Sequence, residues 1–219
     1  MSTFLVFGAS GGTGRHFVPL ALEAGHKVRA VVRDPAKLSD AVRQHPNLQV
    51  FKASITDTPI ADLDACVRGS DFVISMLGDR DAQAQAKINE AFVKGQLVPA
   101  MRRHQVKRFL YQAGGMSRPY KESIPWTLTV VIWMFRSSYE GQHLDNEAVM
   151  KYLAEDAMDI EWMVHRAGIH GQGTKGQLRR SPNSESKVSI ATFEDCAAYS
   201  LKIVQDQEAV HTSCLSCYI

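Results

Sequence analysis

The chemistry of this chain begins with residues that have no side chain. Gly8, Gly11 and Gly14 are spaced G-x-x-G-x-x-G between the apolar run Phe4-Leu-Val-Phe7 and a helical pattern. Gly8 permits a tight turn, Gly11 removes the Cβ that would hold a diphosphate off the backbone, and Gly14 lets helix and strand pack closely. A diphosphate in that turn meets free N–H groups at a helix N-terminus, where the helix dipole favours negative charge. A glycine triplet alone is weak evidence, and this spacing is not the G-x-G-x-x-G of many dehydrogenases. Context strengthens it: the helix runs to Ala24-Gly25, and Lys27-Val-Arg-Ala-Val-Val32 follows as a second strand.

The residues after that strand select the cofactor. An acid about 20 residues beyond the glycines suits the ribose hydroxyl of NAD, and an arginine suits a 2′-phosphate. Here Arg33 follows the strand and Arg15 follows the last glycine. Two guanidiniums converging on one phosphate argue for NADP(H). Asp34 precedes Pro35 and is expected to cap a helix rather than bind the ribose.

These groups need a sheet to carry them. Leu48–Lys52 reads as a third strand after a polar helix that runs towards Gln44, and Ser54 and Ile55 then fall at its carboxyl end, a plausible adenine-side wall. The run Gly69–Ser75 turns into the fourth strand; Met76, Leu77 and Gly78 follow at the same edge, where Arg80 either reaches a phosphate or is simply solvated. One long helix is expected over 82–103 and a fifth strand over 108–112. A helix over 140–153, a sixth strand over 159–165, a short one over 188–190 and a helix opening at Thr192 complete the pattern. Thr192 and Asp195 have capping-box spacing. Alternating strands and helices with right-handed crossovers predict one three-layer, Rossmann-like domain over residues 1–219: α/β, a doubly wound parallel sheet, with the substrate side at about 115–192.

Composition bounds the alternatives. The chain has 219 residues, 45% hydrophobic and 22% charged, with a formal net charge of +2 and no long basic block, which argues against nucleic acid. The basic residues of 101–108 fit a helix C-terminus. Nothing at the start resembles a signal peptide, and the four cysteines are expected to be reduced in a cytoplasmic protein. Cys214 and Cys217 have C-x-x-C spacing but lack a thioredoxin-like context or further zinc ligands, so no metal is expected. The apolar stretch 124–135 is too short to span a bilayer. In descending order it reads as a lid over an apolar substrate, a self-association surface or a membrane-surface anchor.

Gly8-Ala-Ser-Gly-Gly-Thr-Gly14, Val32-Arg33-Asp34, Met76-Leu-Gly-Asp-Arg80 and Glu161-Trp-Met-Val-His-Arg166 together resemble the atypical short-chain dehydrogenases with an NAD(P)-binding NmrA-like fold. Within them the small biliverdin reductase B/flavin reductase group is most similar. The resemblance implies that Gly8, Ser10, Gly11, Thr13 and Gly14 cradle the diphosphate, with Gly12 and Arg15 in the same turn, and that Arg33 takes the 2′-phosphate. It places Ser54 and Ile55 at the adenine, Met76, Leu77 and Gly78 at the ribose, Ala113 and Gly114 by the nicotinamide, and Arg166, Ala167, Gly168 and Ile169 over its ring. It implies hydride transfer from NADPH to a flat small-molecule acceptor such as a flavin, tetrapyrrole or quinone.

Two departures follow. None of the six tyrosines has a lysine four residues later, so the Tyr-x-x-x-Lys acid/base pair is missing. The serine and histidine of the reductase group fall where this chain has Gly114 and Gly168. Candidate substitutes are His170, Tyr139, Ser117 and His165, with His143 near Tyr139; His165 is equally well read as a core residue. Trp126, Trp133, Phe135 and Met116 would supply a stacking wall, and an acceptor of the flavin or quinone type can take its proton from water. A non-catalytic NADP(H)-sensing regulator and a non-redox isomerase or cyclase are the alternatives.

Overall fold

Every second residue of β1 (Thr3–Phe7) and β2 (Lys27–Val32) packs to one side of a sheet, and both strands are buried along most of their length. That is the signature of strands covered by helices on both faces. The computed structural model describes residues 1–185 and 187–219, apart from the side chains of Phe135, Arg136 and Ser138. Around β1 and β2 lie β3 (Leu48–Lys52), β4 (Phe72–Ser75), β5 (Arg108–Gly114) and β6 (Glu161–Ile169), all parallel, in the order β3-β2-β1-β4-β5-β6. This is the expected doubly wound order, and it reverses between β1 and β4, where such sheets bind ligands.

Helix α1 (Gly14–Glu23) packs on one face with α9 (Phe193–Ile203); the other carries α3 (Leu63–Val67), α6 (Val98–Arg103) and α8 (Glu140–Asp156). Each face has its own apolar layer. Phe4, Phe17, Leu110 and Met163 lie in one, Phe7, Phe92, Phe109 and Trp162 in the other.

The structure departs from the sequence pattern in four places. The long helix expected over 82–103 is broken into α4 (Arg80–Gln85), α5 (Ile88–Phe92) and α6, with a π-helical turn at Val93–Leu97. That widened turn ends just before Pro99, which has no N–H to offer the carbonyl of Gly95. The polar helix after Asp34 is only a 3₁₀ turn, Pro35–Lys37, followed by α2 (Asp40–Arg43); Asp34 does cap it, accepting from the Ala36 N–H at 3.0 Å. The sheet also extends past β6. β9 (Ser213–Tyr218) pairs with β6 in parallel, β7 (Leu178–Ser181) is antiparallel to β9, and β8 (Ile190–Ala191) pairs with the end of β6. The C-x-x-C pair therefore lies on a strand, with both thiols free and buried, and burial pushes the Cys214 thiol above its usual range.

The apolar stretch forms α7 (Trp126–Phe135) rather than a loop. Its Ile132 is fully buried, whereas Trp126 and Trp133 are each 77% exposed. Phe135, expected beside them in the stacking wall, has its side chain outside the described residues. Among the described residues no helix is long and apolar enough to cross a membrane.

Candidate functional site

The turn after β1 is built as a backbone cradle. Gly8 has φ +82°, and a Cβ there would stand 2.7 Å from the Met76 carbonyl oxygen; a Cβ on Gly14 would stand 2.1 Å from the Gly8 carbonyl oxygen. The Gly11 N–H closes the turn on the Gly8 carbonyl at 2.9 Å, and the Arg15 N–H begins α1 on the Gly11 carbonyl at 3.0 Å. Gln112 on β5 donates to Thr13 Oγ1 at 3.0 Å, tying the turn to the middle of the sheet. Sequence offers no signal for that last bond, because its partners are far apart in the chain.

Two clefts open from this turn along the carboxyl edge of the sheet. One, of about 290 Å³, runs towards β2 and β3 and is lined by Gly8, Ser10, Arg33, Lys37, Ser54 and Ile55. The other, of about 400 Å³, runs towards β5 and β6 and is lined by Gly12, Thr13, Ala113, Gly114, Ala167 and Ile169. Gly11, Met76, Leu77 and Gly78 border both, so the two are halves of one groove. Small residues line the second half, which also takes in Gln142, Asn146 and Phe193, none of them expected from the sequence. Phe193 opens α9 and stands on the turn, its ring 2.2 Å from where a Cβ of Gly12 would be.

The remaining candidates fall elsewhere. Arg15 does not converge with Arg33: it points outward, its Nε donating to His16 at 3.1 Å and its guanidinium 5.9 Å from the Phe193 ring. Arg80 turns to the Tyr139 ring, 4.7 Å from its centroid. Gly14 lies under the turn, and Gly168 packs against Gly115, whose Cβ would be 2.7 Å from the Gly168 nitrogen. His170 is exposed beyond the end of β6. Arg166 does not reach a nicotinamide position. It is fully buried, donating to the Ser117 carbonyl at 2.9 Å and to Asn183 Oδ1, because its side chain leaves β6 towards the loops rather than the cleft.

Ser117 and His143 are the acid/base candidates brought beside the groove. A Cβ on Gly114 would lie 3.7 Å from Ser117 Oγ and 3.8 Å from the His143 ring. Ser117 Oγ and His143 Nδ1 are 3.2 Å apart, and Asn146 donates to the same hydroxyl at 3.2 Å. Asn146 Oδ1 accepts from the Tyr111 hydroxyl at 2.6 Å, and burial pushes that phenol far above its ordinary pKa, so it stays a donor. The buried Asp145 anchors this helix to the neighbouring ones. It accepts from Gln83 Nε2 at 2.8 Å and from the Asn89 and Glu90 N–H groups at 3.0 and 2.9 Å, so α8 caps the start of α5.

His165 is a core residue. Its Nε2 is 2.9 Å from Ser216 Oγ on β9, its ring stands edge-on to Tyr199 on α9, and burial pushes its pKa down to about 3. The native state therefore refuses a proton that the unfolded chain takes up near pH 6.5, and stability falls as pH drops through that value. Between pH 7 and pH 5 the fold should lose about 2 kcal/mol from this residue alone, and His165→Asn should flatten the profile. Urea midpoints at the two pH values measure it; a flat wild-type profile would contradict the assignment.

A family profile described as NAD(P)H-binding matches residues 8–207. The chain belongs to this NAD(P)H-binding family. Among curated proteins it is 33% identical over 96 residues to an isoflavone reductase homolog of Zea mays, covering 41% of this chain and 30% of that protein. It is 28% identical over 185 residues to the dihydroflavonol 4-reductase of Zea mays, covering 72% and 50%. The chain thus spans half or less of the length of these relatives. Its backbone is similar to that of ChuY, an anaerobillin reductase from Escherichia coli O157:H7, with a TM-score of 0.75, 16% identity and 99% and 97% of the two chains covered. That likeness shows the Rossmann-like fold. For a member of an NAD(P)H-binding family, the groove has the required parts: glycine positions that a Cβ would fill, and two halves meeting at the turn.

Proposed function

We propose that this chain is an NADPH-dependent oxidoreductase that passes a hydride to a planar, apolar small-molecule acceptor. The observation that carries the reading is the continuous groove, with Arg33 and Lys37 at one end and the small-residue bay of Ala113, Gly114 and Ala167 at the other. The glycine turn would hold the diphosphate, Ser54 and Ile55 the adenine side, and Arg33 with Lys37 the 2′-phosphate. When bound, the nicotinamide supplies the hydride. Gly114 and Ala167 leave room for a flat ring, and Phe193 bounds it from the α9 side. Ser117, held by His143 and Asn146, is the hydroxyl best placed to hand a proton towards that bay, in place of the missing tyrosine–lysine pair. The reductase names of the curated relatives support redox chemistry. The motifs at Gly8–Gly14 and Met76–Arg80 support a place near the biliverdin reductase B/flavin reductase group, and the free buried cysteines agree with a reducing compartment.

The test is NADPH oxidation, followed by absorbance, against a panel of flavins, quinones and linear tetrapyrroles. Turnover with at least one is expected. Tight NADPH binding with no turnover on any of them would replace this reading with that of a binding protein. In the same assay Arg33→Gln should weaken NADPH about tenfold while NADH changes less than about twofold, since a charge-assisted bond to the phosphate is all that is lost. Equal losses with both would remove the phosphate role from Arg33.

A further inference from the structure

The phosphate-binding end of the groove contains a carboxylate. Arg33 Nη1 lies 3.1 Å from Asp79 Oδ2, so the residue after β2 is bridged to the residue before α4, and both line the same half of the groove. The two partners are held very differently. Asp79 is pinned: its Oδ1 accepts from the Ala82 N–H at 3.1 Å, capping α4, and its own N–H donates to Gln83 Oε1 at 3.1 Å. The Ala82 N–H and then Arg33 hold its carboxyl below the usual range. The Arg33 side chain is 71% exposed, with Asp79 its only ion-pair partner among the described residues, so it is the member free to turn.

We propose that Asp79 sets the cofactor preference by holding Arg33 in an ion pair that only a ribose phosphate displaces. The inference rests on the dinucleotide reading above. An exposed arginine–carboxylate pair is weak, and a phosphomonoester offers the same guanidinium more charge and more acceptor oxygens, so it takes Arg33 over. A ribose hydroxyl offers no charge, and the pair stays closed against it. Asp79 remains on Ala82 in both cases, so the exchange needs rotation of one surface side chain and no movement of α4.

Calorimetric titration of NADP⁺ and NAD⁺ into the full chain tests this without any acceptor. Asp79→Asn keeps a capping side chain for Ala82, and Asp79→Ser is the second variant should the first fold poorly. Releasing Arg33 should tighten NADP⁺ about three- to fivefold and change NAD⁺ by less than about twofold. In the Arg33→Gln background the same substitution should give no gain, because nothing remains to release. The proposal is overturned if Asp79→Asn weakens NAD⁺, which would make the carboxylate a ribose-hydroxyl acceptor. It is overturned equally if the NADP⁺ gain persists without Arg33, which would make it simple repulsion, or if the ratio does not move. Failure of the wild-type chain to take up either dinucleotide would instead sink the underlying reading, and is told apart by leaving no ratio to compare.

Discussion

Gly14→Ala should reduce NADPH affinity by at least about a hundredfold, a loss of about 3 kcal/mol or more in binding free energy. The added methyl would sit 2.1 Å from the Gly8 carbonyl oxygen and 2.8 Å from the Ala9 Cα. Both are backbone atoms, so no side-chain rotation relieves the clash. Neither can the turn retreat. The Gly8 carbonyl is already bonded to the Gly11 N–H, and Gly8 itself sits at positive φ against the Met76 carbonyl. Moving α1 away instead would open the N–H groups that a diphosphate needs and strip Phe17 and Val18 of their packing against the sheet. Calorimetry with NADPH measures the effect. Gly95→Ala is the control, because a Cβ there meets nothing within 4 Å. Near wild-type affinity in Gly14→Ala would mean that the diphosphate is not held by this turn.

The parts of the molecule legible in the sequence are those whose signal is local. Phe4–Phe7 and Lys27–Val32 are short apolar runs closed by turn residues, and each is a strand at or within a residue of the expected place, while the run Gly69–Ser75 enters its strand at Phe72. Because the groove is made of strand ends, knowing where the strands stop also located Ser54, Ile55, Met76 and Gly78 along its rim. β7 and β9 were hidden for the opposite reason. Leu-Arg-Arg-Ser and Ser-Cys-Leu-Ser-Cys-Tyr carry little apolar periodicity, and β9 is buried through serines and cysteines acting as small packing groups. Thr192 does cap α9, through the Asp195 N–H at 3.1 Å, but the Asp195 carboxylate leaves the box to take the Lys175 N–H and the Tyr218 hydroxyl. The polar floor under Gly114 was least legible, since Ser117, His143, Asn146 and Tyr111 meet only once β5 and α8 are packed together. The family resemblance sets Arg166 over the nicotinamide, and strand alternation cannot correct it: β6 is buried on both faces from Trp162 to Ala167, so the pattern does not say which face is the cleft.

That misplaced arginine carries the largest expected effect on stability. Arg166→Ala should cost about 3–5 kcal/mol, the range for removing one member of a buried charged network. The guanidinium is fully buried, and burial pulls its pKa down to about 10, so it is still charged at neutral pH. It has no direct carboxylate partner among the described residues. Its bonds go to the Ser117 carbonyl and to Asn183, which in turn donates to the Ser213 carbonyl at 2.7 Å and to the Glu122 carboxylate. One side chain thus joins β6 to the loop after β5, the loop after β7 and the start of β9. Replacing a buried ion by an apolar group is neutral only when its partners go too. Here the Ser117 carbonyl and Asn183 Oδ1 would stay behind, buried and unsatisfied, around a cavity the size of the lost side chain. At about 2–4 °C of Tm per kcal/mol for a chain of this length, the midpoint should fall by about 6–20 °C. Arg166→Lys should recover only part of it, since one ammonium replaces the two-armed fork. Urea unfolding with an unchanged slope checks the value, and a loss below about 1 kcal/mol would mean the loops do not depend on this residue. Variants that still fold should also turn over more slowly, because the carbonyl Arg166 holds belongs to the same Ser117 whose hydroxyl lies beneath Gly114.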